Sequence, residues 1–572
     1  MQLDESRRLT GPNLFSRLPG AICDIDVAGD NQTALVGAWR LRVRELLDAV
    51  GWADSEIFDR CHTTGVSLVI SAPIDCLYAA TDINEAAFEF ARCDVSGDTP
   101  PDLSRTAERM QALINEEHNA ALVVLEQAAA ERGTPFLVDD DEVSLGYGRY
   151  ATSWSSQQVP SIREVDWQKA GTHGAVPVAL VTGTNGKSTT VRLAAAIVAA
   201  AGRVAGITST DYIRVGDDVV DTGDYSGPGG ARQLLRHPHT DVALLEVARG
   251  GMLRRGLGVT HADVALITNV AADHLGEYGI HTVDELRAAK FVVQRGLAPG
   301  KPLILNADDD GVVGYARELD GQPFLWFSET AEHSVVVAHV ARGGRAVVVK
   351  DAQICMYGGT GFEPIVSISD IPVTLNGNAR HNVQNALAAA ALGHALGCDS
   401  RSISEGLTSF NGGPKDNPGR GNLFSGNGVS AVVDFAHNEH GLQAMAKTIA
   451  TMPGQRRLVL LGQAGDRSDE LVVGLTHAAL QANPDQLVVC KLPGYERGRE
   501  PDEIPKLIER TAVVAGVAPS AIHHADSPLD GTRFALQWAN QGDVLLILAL
   551  TQRDACIELI QDTLQASPTD PD

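Results

Sequence analysis

The stretch "VALVTGTNGKSTTVRLAAAIV" (178–198) holds the residues best suited to chemistry. The run Val178-Ala179-Leu180-Val181 reads as a strand, enters a Gly-rich turn and leaves into an Ala-rich helical run. A loop between strand and helix can aim its backbone N–H groups at a phosphate, and the helix N-terminus adds positive potential. The loop is Gly183, Thr184, Asn185, Gly186, Lys187, Ser188 and Thr189. Its glycines let the backbone approach a nucleotide closely, Lys187 can reach the terminal phosphates, and Ser188 can ligate Mg²⁺. The spacing is a shortened form of G-x-x-x-x-G-K-[ST], because Val181 stands where the first glycine would be and Gly183 takes over that part. The plain alternative is a strand–turn–helix with a surface lysine.

A phosphate loop serves kinases, GTPases, motors and ligases alike, so the residues downstream must narrow the choice. Glu246 ends the apolar strand "VALLE", at the carboxyl edge of a parallel sheet, where ligands collect. A buried carboxylate there is costly unless a cation meets it, and Mg²⁺ would do so. "TNVAADHLGEYG" sets Asn269 and His274 just beyond the next strand. His274 is a candidate ligand for a second ion, with a structural loop histidine as the alternative.

The elements that must position these groups follow from the rest of the chain. At 572 residues it exceeds one core, and three domains are expected: 1–160, 161–413 and 414–572. The first mixes short strands and helices, as in "VSLVISAPIDCLYAATDINEAAFEFA" (strand, then helix) and "NAALVVLEQAAAERGTPFLVDDD" (helix ended at Gly133, then strand). The polar stretch 151–177 reads as a linker or boundary. From 178, apolar strands such as "VALLEVA" and "DVALITNV" alternate with helices, the pattern of a parallel sheet. The stretch 334–359 reads as β-rich and hairpin-bearing. After the turn-rich "NGGPKDNPGRG" (411–421) a second α/β pattern begins, and the tail "ASPTDPD" is expected to fray.

A formal charge of −26 argues against a nucleic-acid partner. No apolar run is long enough to span a bilayer, and "MQLDESRRLTGPN" lacks a signal-peptide core, so a cytoplasmic location is expected. Eight scattered cysteines with no CxxC pair read as reduced thiols.

Five spaced motifs then carry a resemblance: "GTNGKST", "LLEVARGGMLRRGLG", "ITNVAADHLGEYGI", "NGNARHNVQNALAAA" and "VVDFAHNEHGL". From about 178 to the C-terminus the sequence resembles the Mur ligase superfamily. "TGDYSGPGGAR" (222–232), "EVARGGMLR" (246–254), "GYERGREPDEIPKLI" (494–508), "LTGPNLF" (9–15) and "SLGYGRY" (144–150) look like stretches of cyanophycin synthetases. In that family the last of these leads into an ATP-grasp module, whereas here 151–177 is all that lies before the phosphate-loop strand. One ATP site and one ligation step are therefore expected.

The resemblance implies an α/β fold: an α+β N-terminal domain, a central parallel-sheet ATPase domain of Mur ligase type and a Rossmann-like C-terminal domain. It implies that ATP and two Mg²⁺ ions activate a carboxylate as an acyl phosphate, which an amine then attacks. Lys187, Glu246, His274 and Lys290 would be catalytic, with Ser188, Glu246, His274 and Lys290 around the metals. Lys290, in "LRAAKFVV", matches a lysine that is often carbamylated; a solvated helix lysine is the alternative. Asn382 and Asn385 would meet adenine, though Asn382 could simply cap its helix. Arg420, Asp434 and His437 would contact the nucleotide from the last domain. Asp224, Ser226, Arg232, Arg249, Arg254, Arg497 and Arg499 are substrate candidates, the arginines by bidentate pairing with carboxylates. The substrate would be an amino acid, dipeptide or aspartyl-type peptide, as when a basic amino acid joins an aspartyl carboxylate. A polymerase using preformed dipeptides, a P-loop kinase or NTPase, and a nucleotide-sensing subunit stay open. Relatives of this type self-associate, so a homo-oligomer is an expectation too.

Overall fold

The computed structural model of the chain describes residues 1–171 and 175–565. The tail 566–572, expected to fray, lies outside the described residues. Among the described residues the strands form four sheets. The first is antiparallel, in the order Gln2–Leu9, Gly20–Asp26, Gly65–Ser71, Ile57–His62, and its core side packs on the helices Gly29–Ala49 and Leu77–Ser96. A small three-stranded sheet, Phe136–Val138, Glu142–Leu145 and Thr152–Ser155, follows it. The stretch expected as linker therefore supplies a strand, Thr152–Ser155, paired with Glu142–Leu145. Its alternating Trp154 and polar neighbours pair better with a strand than with water.

The central sheet has eleven strands. Val178–Thr182 lies inside it, parallel to Val242–Glu246 on one side and Val264–Ile267 on the other. That strand is buried along its whole length. Val178 and Leu180 face one hydrophobic core, and Ala179 and Val181 face another on the opposite side of the sheet. An all-apolar strand is what two-sided burial requires, at about 1.5–3 kcal/mol for each large side chain buried. The chain passes from Val178–Thr182 to one flank (Ala205–Thr208, then Val242–Glu246) and only later to the other (Val264–Ile267). The strand's carboxyl end is thus the point where the winding reverses, where α/β sheets open a crevice.

In the stretch 334–359, only Ala346–Lys350 and Gln353–Gly358 form the expected hairpin, and they extend the same sheet. Residues Ser334–Ala341 are a helix, with Val336 and Val340 buried one turn apart. Packing at that spacing outweighs the strand preference of its valines. The last sheet runs Arg420–Gly426, Val429–Asp434, Val544–Leu548, Arg457–Leu461, Gln486–Cys490, Ile522–Ala525, parallel apart from its first strand. Among the described residues no helix is long and apolar enough to cross a membrane.

Candidate active site

The carboxyl edges of the central and last sheets face one cavity of about 960 Å³. The phosphate loop forms its floor. Gly183 has φ 146° and Gly186 φ 87°, in the left-handed region that a side chain resists. A Cβ on Gly183 would stand 1.8 Å from Thr268 Oγ1, and one on Gly186 2.2 Å from Asn385 Oδ1. The loop is pinned from below. Thr268 Oγ1 donates to Asn185 O (2.6 Å), Asn269 Nδ2 donates to the same oxygen (3.1 Å), and Asn185 N donates to Asn269 Oδ1 (3.0 Å). Asn269 thus holds the loop in shape as well as lining the cavity. Thr184 Oγ1 donates to Ala271 O (3.1 Å), while Lys187 Nζ rests on Thr184 O (3.0 Å), free to turn toward a phosphate. Ser188 lies in the first turn of the helix Lys187–Ala200 and lines the cavity; Thr189 accepts from Asn417 Nδ2 at the domain boundary (3.3 Å).

Glu246 is 2% exposed, and neither of its carboxylate oxygens has a hydrogen-bond partner. It lines the same cavity as Ser188. A buried anion without a donor is the donor set that a hard cation such as Mg²⁺ completes. These residues fit the metal that the fold implies.

Lys290 is 4% exposed, at the end of the helix Val283–Lys290, and its Nζ donates to Gly183 O (2.8 Å). Burial, and next the nearby Lys187, hold its pKa well below the ordinary lysine range. The solvated alternative does not hold.

His274 sits at φ 49° with Asp273 and His437 close enough for all three to share one cation. Burial works to raise Asp273, but the His437 hydrogen bond and the charges of His437, His274 and Arg467 hold it below the usual carboxylate range. Glu277 is held down to about 2, first by its His274 hydrogen bond, then by Arg249. Arg467, from the last domain, lies against both ring nitrogens of His274, at 3.1 and 2.8 Å. A neutral imidazole has one acceptor nitrogen, so only one of these contacts is a hydrogen bond. A cation on His274 needs that same lone pair, so Arg467 must turn aside for it.

The nucleotide candidates of the last domain also line the cavity. Arg420 stacks over Phe435 (4.7 Å) and its Nε has no partner. Burial lowers its pKa against the pull of Asp211. Burial pushes Asp434 up to about 6, opposed by Arg420 and by the N–H groups of Ala436 and Gly421. Asn382 does not cap its helix: the cap is Ala379, and Asn382 Nδ2 donates to Val373 O (2.9 Å). Asn385 Nδ2 donates to Asn382 Oδ1 (3.0 Å).

The substrate candidates divide. Asp224, Ser226, Arg249, Arg254 and Arg497 line the cavity. Arg249 is committed to Glu277 and to His274 O (2.6 Å). Arg232 is turned away, donating to Thr10 Oγ1 at 2.6 Å from a buried position. Arg499 also stays out of the cavity, braced on Gly465 O, Arg467 O and Asp469. Spacing alone could not tell these two from the others, because their partners lie far off in sequence.

Four further residues come to the site. Asp273 is legible as the carboxylate beside His274. Arg467 and His440 are legible only as polar residues after strand ends. Asp211 joins Arg192 (2.5 Å), which is fully buried, to Arg553 (2.5 Å) across the domain boundary. Asn185 meets Asn438 (3.1 Å) and His440 (3.0 Å) across the same boundary.

Comparison with known proteins decides the family. Residues 181–393 match the Mur ligase middle domain, and 419–549 match the Mur ligase glutamate ligase domain. The chain belongs to the Mur ligase superfamily. It is 37% identical over 338 residues to the cyanophycin synthetase of Geminocystis herdmanii, which covers 59% of this chain and 38% of that one. It thus spans about two fifths of the length of such relatives. It is 28% identical over 381 residues to the UDP-N-acetylmuramoyl-L-alanyl-D-glutamate–2,6-diaminopimelate ligase of Bacillus velezensis, covering 64% of this chain and 71% of that one. Among solved structures, the E. coli FolC complex with DHPP and ADP shares the Mur ligase fold, with TM-score 0.51, 20% identity, and coverage of 68% of this chain and 89% of that one.

Proposed function

We propose that this Mur ligase chain is an ADP-forming ligase that activates a carboxylate with ATP and joins it to an amine. The observation that carries the reading is the partnerless Glu246 carboxylate facing the phosphate loop in a cavity built by two domains. The cyanophycin synthetase and diaminopimelate ligase names of the relatives favour an amino acid, dipeptide or aspartyl-type peptide as substrate.

Ser188 and Glu246 would hold one Mg²⁺, and His274 with Asp273 a second. Bound there, Mg²⁺ supplies charge neutralisation between the nucleotide and an anionic acceptor. Lys187 turns from Thr184 O to the terminal phosphate, and the loop amides bind the rest of the phosphate chain. Asn385, Arg420, Asp434 and His437 orient the nucleoside. Arg254 and Arg497, which line the rim, suit a substrate carboxylate. The acceptor oxygen attacks the γ-phosphorus and ADP leaves. The neutral amine then attacks the acyl carbon, inorganic phosphate leaves with the C–O bond electrons, and the nitrogen releases one proton as the amide forms. Contacts such as Asn185 to Asn438 keep water from the acyl phosphate. Burial pulls the Lys290 amine toward its neutral form, which would suit addition of CO₂, with loss of one N–H proton, to give a carbamate.

A screen of amino acids and dipeptides for ADP release with Mg²⁺, followed by mass spectrometry of the products, tests this. Amine-dependent ADP release with one new amide is expected, and Lys187→Ala should abolish it. A ladder of products would mean polymerisation, while ADP release indifferent to amine would mean an NTPase and refute the ligase reading.

A further inference from the structure

We propose that the four-stranded N-terminal sheet braces one wall of the cavity, and that Arg60 is the positioning residue that fixes the segment bearing His274. Its importance for turnover rests on the ligase reading; its hold on the segment does not.

The segment 273–281 needs a hold. His274 and Tyr278, neither of them glycine, stand at φ 49° and 54°, and Gly276 and Gly279 at φ 100° and 65°. Such backbone persists only where the surroundings over-determine it. Within the segment, the bonds Gly276 N to Ile280 O (2.7 Å) and Ile280 N to Glu277 O (3.1 Å) close one tight turn.

Arg249 holds one end of the segment, on His274 O and Glu277, and the N-terminal sheet holds the other. Arg60, on Ile57–His62, donates to Tyr278 O (3.1 Å) and pairs with Glu285 (3.5 Å). Glu285 in turn accepts from the N–H groups of His281 (2.8 Å) and Thr282 (2.9 Å), closing the capping box of the helix that ends at Lys290. One guanidinium therefore ties the segment's carbonyl to the cap of the next helix. His62 stacks on His281 (5.6 Å), and a Cβ on Gly279 would stand 2.6 Å from the His62 ring. Arg7, buried and paired with Asp24 (2.6 Å), lies over the Tyr278 ring at 5.1 Å. The wall so fixed presents His274, Glu277 and Tyr278 to the cavity. The phosphate loop is pinned chiefly by Thr268 and Asn269, outside the braced segment, and Lys290 links it to the helix whose cap Arg60 holds.

Hydrogen exchange on the full chain tests the brace without any substrate. In Arg60→Ala the amides of Gly276, Ile280 and His281 should exchange about tenfold faster, the loss expected for one charge-assisted hydrogen bond, while 183–189 keep their rates. In the ligation assay the same variant should lose about tenfold in kcat, with the KM for ATP within about twofold, and Arg60→Lys should recover part of kcat. Should Arg60→Ala fail to fold, Arg60→Gln is read in its place. Unchanged exchange in 276–281, or an equal rise over 183–189, overturns the brace. If the wild type forms no amide with any amine, the ligase reading fails and exchange alone decides this one.

Discussion

Glu246 offers the sharpest test of the cation assignment. Its carboxylate is buried and without a donor, and Arg420 is the positive charge that feels it. An unsatisfied buried group costs about 1–3 kcal/mol. Glu246→Gln removes the charge and keeps the shape but leaves a buried amide equally without partners, so the ligand-free transition should move by no more than about 1 kcal/mol, or about 2–4 °C for a unit of this size. Saturating a cation-dependent nucleotide site at a hundred times Kd stabilises by about 2.7 kcal/mol, or about 5–11 °C. The variant should lose most of the part of that shift that depends on Mg²⁺. The assay is thermal unfolding with a non-hydrolysable ATP analogue, with and without Mg²⁺. An unchanged Mg²⁺-dependent shift in Glu246→Gln would refute the reasoning, because the orphaned carboxylate would then have no cation to hold.

Other outcomes follow from the same geometry. Gly186→Ala forces a Cβ to 2.2 Å from Asn385 Oδ1 at φ 87°, so analogue binding measured by calorimetry should weaken at least about tenfold. Asp434 is raised to about 6 in the fold, so the native state binds more protons than the unfolded chain between about pH 4 and 6. Its contribution is therefore full below about pH 4 and lost as pH rises through 6; urea melts of Asp434→Asn should show a flatter decline over that window than the wild type. Of the eight cysteines only Cys61 is exposed. Ellman's reagent should find one fast thiol in the native protein and eight in denaturant, and burial that pushes Cys23, Cys76 and Cys490 up to about 12 keeps them slow.

The phosphate loop was legible because its function is local: strand, glycines, lysine and helix are consecutive. The same holds for Glu246 at a strand end and for the alternation of strands and helices. What could not be read is set by long-range packing. Arg232 and Arg254 each stand a few residues after a Gly-Gly pair, yet one faces Thr10 and the other the cavity. Arg467 reaches His274 across 193 residues, and Asp211 meets Arg553 across 342, distances at which no periodicity gives a signal. The helix Ser334–Ala341 was hidden by its β-branched valines, whose preference a buried i, i+4 pair overrides.

The interior place of Val178–Thr182 in its sheet bears on synthesis. Both neighbours, Val242–Glu246 and Val264–Ile267, leave the ribosome later. At about 5–20 residues per second the nascent strand waits on the order of several seconds with both edges unpaired and both apolar faces bare. Translation speed between codons 183 and 267 should therefore govern how much of the newborn chain reaches the native state instead of clumping.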